Sequence, residues 1–322
     1  MNNKKKLEEK ISCILLTYNH AHTIDDTIKS ILNQKLKNFE FIISDDCSSD
    51  GTWERLINIK KKYPDINLTQ TNNNLGMANH INYAFSLTTR PYVALLNHDD
   101  LYEPNLLEEW GQLLEKYQTS AFVFNSYKNY DNGNISTYMP SEILNGDWLI
   151  RNSLLENLYC KIRATCMIRK SAFNDIGGTN PKYGYIADVD LWIRLAKKYS
   201  VCFSNKTIIT VKNEKPKNFY PEEYLPYGKF WDKKNLLYEL YLDNIDEYRK
   251  SFKIKDRILW YKYLLNVNKD IIYWVLILIY KKKFSVLSEI KKIIKRKEIY
   301  IFTFIFIKIL IYILSIKKNF KY

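Results

Sequence analysis

Between Ile11 and Asn125 short apolar runs alternate with amphipathic helical patterns, and that alternation constrains the fold more than any other feature of the chain. Ile11 to Leu16 reads as a buried strand. Thr23 then suits the cap of a helix whose apolar positions, Ile24, Ile28, Ile31 and Leu32, recur with helical spacing. Phe39 to Ser44 is a second strand, and Ser48-Ser49-Asp50-Gly51 is turn chemistry leading into a helix from Thr52 to Lys62. Asn67 to Thr71, Tyr92 to Leu96 and Ala121 to Asn125 read as three more strands. Helices from Met77 to Leu87 and from Pro104 to Tyr117 separate them. This succession predicts an α/β fold with a mostly parallel sheet flanked by helices, Rossmann-like in its winding.

Sheets of this kind bind ligands beyond the carboxyl ends of their strands. Polar residues gather there: Thr17-Tyr18-Asn19, Asp45-Asp46 and Asn97-His98-Asp99-Asp100. Asp99 and Asp100 suit a hard divalent cation, Mg²⁺ or Mn²⁺, whose shell is completed by water and phosphate oxygens. They suit equally a cap for the helix near Pro104. Asp45 and Asp46 can accept hydrogen bonds from a base or a ribose, or cap the helix after Gly51. Tyr18 can stack on a nucleobase or simply pack. His20, His22, His80 and His98 show no ligand spacing.

The net charge of +14 points at first to nucleic acid, but its distribution does not. Ser251 to Tyr322 carries 17 Lys/Arg against 4 Asp/Glu, so the body before it is almost neutral. That tail holds two apolar runs, Ile271 to Tyr280 and Ile299 to Ile316, with Lys281-Lys282-Lys283 and Lys291 to Lys297 beside them. An Ile- and Leu-rich basic tail fits a lipid surface rather than nucleic acid. Crossing a bilayer takes roughly 20 apolar residues, so Ile299 to Ile316, interrupted by Lys308, is expected to lie in the interface or to span once. The expected organisation is a catalytic domain over residues 1–245 and a helical extension over 246–322. Five cysteines without C-x-x-C spacing suggest neither a zinc site nor a disulfide framework, and Met1 to Lys10 leads into no signal-peptide pattern. The body is expected in a reducing cytoplasm.

Taken in order, five segments resemble the successive motifs of family 2 glycosyltransferases. They are Leu16-Thr17-Tyr18-Asn19, Ser44 to Thr52, Asn74-Leu75-Gly76, Asn97-His98-Asp99-Asp100, and Gly177-Gly178 followed by Ala187 to Leu195. The resemblance implies a GT-A fold and transfer of a sugar from a nucleoside-diphosphate sugar to a hydroxyl on a glycan or lipid-linked acceptor, with inversion. It places the nucleotide at Leu16, Thr17, Tyr18, Asp45, Asp46 and Asn97, the metal at Asp99 and Asp100, and the general base at Asp188. Asn97 stands where the family carries the first carboxylate of its D-x-D, and Ala187 where it carries the first acid of a Glu-Asp pair. The Gln-x-x-Arg-Trp motif of processive members is absent, which implies one sugar at a time. With the tail, the resemblance implies bacterial surface-polysaccharide or lipid-linked glycan synthesis at the cytoplasmic face of a membrane. On this reading Asp46→Ala weakens nucleotide binding and leaves the fold intact, and Asp190 tolerates Asn better than Asp188 does. The Tyr-rich stretch Phe219 to Tyr241 either lines the acceptor cleft or packs between helices. A nucleotidyltransferase, which also pairs acids with a metal, would carry a Gly-rich loop near the N-terminus, and none is present.

Overall fold

All five expected strands form, each followed by its helix up to the fourth. The computed structural model describes residues 6–136, 139–155, 162 and 165–212, with single positions between 240 and 258. The chain runs β1 (Ile11–Thr17), α1 (Ile24–Leu32), β2 (Glu40–Asp45), α2 (Thr52–Lys62), β3 (Asn67–Gln70), α3 (Gly76–Leu87) and β4 (Tyr92–Leu96). It continues through β5 (Asp100–Tyr102), α4 (Leu106–Lys116), β6 (Ser120–Asn125), β7 (Tyr127–Asn129), β8 (Ile135–Ser136), β9 (Ile143–Leu144) and α5 (Gly146–Leu149). After these come β10 (Cys166–Arg169), α6 (Lys170–Asp175), a 3₁₀ segment (Pro181–Ile186), α7 (Ala187–Lys198), β11 (Ser200–Ser204) and β12 (Ile209–Val211).

The larger sheet has the order β3-β2-β1-β4-β10-β6-β11-β9, and a smaller one has the order β5-β12-β7-β8. In the larger sheet β10 and β9 run against the other strands, which share one direction. The antiparallel insertion of β10 between β4 and β6 is absent from the sequence reading, and it matters for function. Because β10 is reversed, its first residue, Cys166, pairs with Leu95 near the end of β4. The chain therefore enters β10 at the same edge where β1, β2 and β4 leave the sheet.

Side chains alternate across the strands, so each strand feeds two layers. Ile11, Cys13 and Leu15 of β1 and Val123 of β6 share a buried cluster with Ile24, Ile28 and Ile31 of α1 and with Leu107, Trp110 and Leu114 of α4. On β6 the neighbouring Phe122 turns the other way, and its ring lies 4.8 Å from that of Trp192 on α7. Phe85 of α3 stacks on Phe173 of α6 at 3.8 Å. Burying each large side chain of this kind contributes ~1.5–3 kcal/mol.

Two helix starts differ from expectation. Thr23 occupies the cap position of α1, yet its hydroxyl makes no capping bond; the amides of Thr23 and Ile24 bond to the His20 carbonyl instead. The helix after Pro104 begins at Leu106, capped in position by Asn105, and Asp100 lies in β5. Neither Asp99 nor Asp100 caps α4. Likewise Gly51, not Asp45 or Asp46, stands at the cap of α2.

The chain divides into two compact units, residues 1–154 with 160–230, and residues 155–159 with 231–322. All the strands above belong to the first. The apolar runs of the tail, and the stretch Phe219 to Tyr241 apart from Leu240, lie outside the described residues. Among the described residues no helix is long and apolar enough to cross a membrane, and Cys13, Cys47, Cys166 and Cys202 are free thiols.

Candidate functional site

β1 and β2 lie in register with Thr17 opposite Asp45, so their polar ends emerge side by side. The two exit loops are tied together. Asp46 N donates to Thr17 O (2.9 Å), Asn19 N to Ser48 Oγ (2.8 Å) and Ser49 N to Asn19 Oδ1 (2.9 Å). Asn19 and Cys47 hold left-handed backbone (φ 58° and 62°), a conformation that non-glycine residues adopt at some cost. Tyr18, just before Asn19, keeps 40% of its surface exposed. A large aromatic left open at a strand end is free to stack on a planar ligand.

The two acids read as nucleotide contacts are more committed than the sequence suggests. Asp45 is fully buried and accepts from Ser48 N (3.0 Å), the Ser48 hydroxyl and Gln70 Nε2 (2.8 Å). Asp46, 3% exposed, accepts from Thr71 Oγ1 (2.9 Å), Leu75 N (2.9 Å) and Gly76 N (3.0 Å). A carboxylate has about four lone-pair positions, so each retains about one for a ligand. Behind them His80 of α3 bonds Ser44 Oγ at 2.8 Å. Burial holds its pKa below the ordinary value against the opposing charges of Asp46 and Asp45. The Thr17 hydroxyl is buried with no hydrogen-bond partner, an arrangement that favours a ligand able to supply one.

At the end of β4 the loop Asn97–Asp99 turns directly into β5. Thr27 Oγ1 on α1 bridges the carbonyls of His98 (2.8 Å) and Asp100 (2.9 Å), and the Tyr102 hydroxyl donates to Asn97 O (2.7 Å). Burial, with Asp100 and Asp99 nearby, raises the Tyr102 pKa well above normal, so it stays a donor. The loop separates its two acids. Asp100 is fully buried, 3.4 Å from both Asn97 Nδ2 and Thr165 Oγ1, whereas Asp99 is half-exposed. Asp99 offers a hard oxygen to a cation. Among the described residues no three His, Cys, Asp or Glu side chains converge as a cage. Mg²⁺ or Mn²⁺ fits such a place when phosphate and water complete its shell. The fold also gathers histidines that the sequence left scattered: the rings of His20 and His98 lie 3.3 Å apart and those of His20 and His22 6.2 Å apart. Burial, then His98, pushes the His20 pKa down to about 3, so this imidazole is neutral.

Asp188 sits in the first turn of α7, half-buried, with Ile186 rather than Asp188 at the cap position. Its charge helps hold the thiol of Cys166 protonated, second to burial itself. Asp188 is thus an electrostatic neighbour of the first residue of β10, and the preceding residue, Thr165, reaches Asp100. The acidic loop, through Thr165, and Asp188, through Cys166, thus both adjoin the start of β10. Asp190 is buried and paired with Arg194 (Nε to Oδ2, 2.7 Å), whose other nitrogens donate to Ile176 O (2.8 Å) and Gly178 O (2.6 Å). Asp190→Asn, expected to be tolerated better than Asp188→Asn, would also remove the charge that faces Arg194. Sequence reasoning missed Arg194, Thr17's hydroxyl and the histidine cluster. Each shows only once the chain is folded: Arg194 through the carbonyls of Ile176 and Gly178, the Thr17 hydroxyl through its burial, and the histidines through the approach of His98 to His20.

A protein-family model described as glycosyl transferase family 2 matches residues 12–177, a span that ends before Asp188. EpsE of Bacillus subtilis is 31% identical over 190 residues, 58% of this chain; the chain thus spans 66% of that relative, just under two thirds. The Escherichia coli UDP-Glc:alpha-D-GlcNAc-diphosphoundecaprenol beta-1,3-glucosyltransferase WfaP is 31% identical over 199 residues, 59% of this chain and 71% of WfaP. Among solved structures, the mannosyltransferase PcManGT of Pyrobaculum calidifontis, in complex with GDP-Man and Mn²⁺, superposes with a TM-score of 0.55 at 15% identity. That superposition covers 91% of this chain and 83% of PcManGT, and it shows the GT-A fold.

Proposed function

The chain belongs to glycosyltransferase family 2, and from that premise we propose that it transfers one sugar from a nucleoside-diphosphate sugar to an acceptor hydroxyl, with inversion. What supports this reading is that the Asn97–Asp100 loop, through Asp100 and Thr165, and Asp188, through its effect on Cys166, both adjoin the start of β10, at the sheet edge where Tyr18 is exposed. The residues divide the work. Tyr18 stacks on the base, and the Thr17 hydroxyl and the one remaining position on each of Asp45 and Asp46 take its polar edge or the ribose. Asn97, tied to Asp100 and Tyr102, shapes the loop that presents Asp99. Asp99 holds the divalent cation, Mg²⁺ or Mn²⁺, which when bound neutralises charge on the departing diphosphate. Asp188 removes the proton of the attacking hydroxyl, a role worth ~10²–10⁴-fold in rate. Attack from the face opposite the leaving group inverts the anomeric centre and needs no covalent intermediate.

Asp100, fully buried, acts as a support of the loop rather than a direct ligand. The acceptor is a glycan or a lipid-linked glycan. The name of WfaP, whose acceptor is a diphosphoundecaprenol-linked sugar, supports the lipid-linked class. The basic tail supports attachment to the cytoplasmic face of a membrane, peripheral or by one span, and with the name of WfaP it supports a role in surface-polysaccharide synthesis.

The test is a panel of UDP- and GDP-sugars incubated with full-length protein, with Mn²⁺, Mg²⁺ or chelator. Melting temperature reports donor binding, and proton NMR of the product reports anomeric configuration. At least one donor should raise the melting temperature only with the cation. A product that retains the donor's configuration would rule out the single-displacement reading.

A further inference from the structure

The segment that delivers Asp188 is irregular. Gly177 and Gly178 hold left-handed backbone (φ 76° and 72°), and the following 3₁₀ segment is broken at Gly184 (φ 48°, ψ −119°). No regular element leading into α7 fixes where its first turn falls. Side chains do so instead, and one of them comes from α3. Asn82 Oδ1 accepts from Thr179 N (2.8 Å) and from Thr179 Oγ1 (2.8 Å), while Asn82 Nδ2 donates to Thr179 O (3.0 Å). The amide thus pairs with Thr179 as a neighbouring strand would. Thr179 Oγ1 also reaches Ala78 O (2.6 Å), one turn earlier on α3. The fit is close: a Cβ on Gly178 would stand 2.5 Å from Asn82 Oδ1.

The other end of α3 is fixed by the donor side. Leu75 N and Gly76 N, at its start, donate to the two oxygens of Asp46. Beyond Thr179, Arg194 takes the carbonyls of Ile176 and Gly178 and returns to Asp190 on α7. A continuous hydrogen-bonded path therefore runs from Asp46 through α3, Asn82 and Thr179 to the helix that bears Asp188.

We propose that Asn82 is a positioning residue that sets the 176–190 segment, and with it Asp188, against the donor side of the site. This rests on the reading of Asp188 as the base. Asn suits the task because one planar group both donates and accepts at the reach of a peptide. Asp has the same shape but turns an oxygen toward Thr179 O, replacing a bond with repulsion.

Full-length wild type, Asn82→Asp and Asn82→Ala are compared by two measurements. The first is amide hydrogen exchange of residues 176–190 in the absence of any ligand. Both variants should raise it by roughly three- to tenfold, the effect of losing about one net hydrogen bond, while exchange in β1, β2 and β4 stays as in wild type. Asn82→Asp guards against a fold defect caused by the smaller Ala. The second is turnover with the donor found in the panel: kcat should fall ~100-fold, the loss expected for a base misplaced by about an ångström, with donor KM within about twofold of wild type. Unchanged exchange in 176–190 overturns the proposal, as does wild-type kcat in both variants. A KM rise that accounts for the whole loss also overturns it, since Asn82 would then serve donor binding. Asp188→Asn, run alongside, tests the base reading separately. If that variant keeps wild-type turnover the base assignment falls, and the exchange measurement, which does not pass through Asp188, still decides the case of Asn82.

Discussion

Asp45, Asp46, Asp99, Asp100 and Asp188 are the same kind of residue in the sequence, and what separates them in the structure is how deeply each is buried. Asp46 holds Thr71, Leu75 and Gly76 from a buried position. Asp46→Ala therefore removes three hydrogen bonds to a buried charge. It should cost ~2–4 kcal/mol of stability, measured by urea denaturation, besides weakening nucleotide binding. This sets a stability cost beside the expectation of an intact fold, and a variant of wild-type stability would rule that cost out. Asp99 and Asp188 are half-exposed, and both Asp99→Ala and Asp188→Asn should melt close to wild type. Asp99→Ala should lose metal-dependent transfer, and Asp188→Asn should lose two or more orders of magnitude in turnover. Full wild-type activity in excess chelator would remove the metal's role. His80 gives a pH signature of known sign. Its folded pKa lies below its ordinary 6.5, chiefly through burial. Its contribution to stability is therefore intact above that value and drains away as pH falls toward the folded pKa, because only the unfolded chain takes up the proton there. His80→Gln can keep a bond to Ser44 without titrating, so its stability should fall less than wild type between about pH 7 and pH 5. Equal slopes in the two proteins would assign the acid sensitivity elsewhere. The motifs placed these acids at one edge of the sheet, but the partners that consume Asp45 and Asp46, Gln70 and Thr71 among them, lie 25 residues on and belong to no local pattern.

Helical spacing and apolar runs suffice for α1 to α4 and for β1 to β4 and β6, because each buries a stripe or face against its chain neighbours. The elements after β6 escape that logic. β10 has four residues, and its place between β4 and β6 is set by pairing with strands far away in the chain. The short strands of the smaller sheet are likewise defined by pairing rather than by pattern. At this scale the packing of α5 on α7 gives a prediction independent of the site. A Cβ on Gly146 would lie 1.8 Å from the carbonyl oxygen of Ala196 and 2.5 Å from that of Tyr199, and backbone cannot step aside as a side chain does. Gly146→Ala should destabilise the protein by ~1–3 kcal/mol or more, lowering the urea midpoint, and should leave donor KM unchanged in the folded fraction. A neutral effect on the midpoint would mean that the two helices are not apposed in this way.

At the scale of the molecule, charge is segregated: +13 of the +14 falls on Ser251 to Tyr322, beside two apolar runs, while the rest of the chain is close to neutral. On the proposed reading, an enzyme whose acceptor is lipid-linked gains from staying at the surface where the acceptor resides. Two forces would hold it. Burial of the Ile299 to Ile316 run is insensitive to salt. Attraction of Lys291, Lys292, Lys295, Arg296 and Lys297 to anionic lipid, about 1 kcal/mol per charge, is screened over ~10 Å at 0.1 M salt. The two are separable by experiment. Full-length protein should co-sediment with vesicles containing phosphatidylglycerol more than with phosphatidylcholine alone. Salt should release part of it but not all, the remainder being the apolar contribution. Replacing the five basic residues by Gln should remove the preference for anionic lipid while leaving the salt-resistant fraction. Deleting Ile299 to Tyr322 should release most of the protein while sparing nucleotide binding, since Tyr18, Asp46 and Asp99 all lie on the larger sheet's carboxyl edge, at the ends of β1, β2 and β4. If the truncated and full-length proteins partition identically, the tail is not the anchor. Binding to DNA as strong as to anionic vesicles would instead mark the tail as a general polyanion contact.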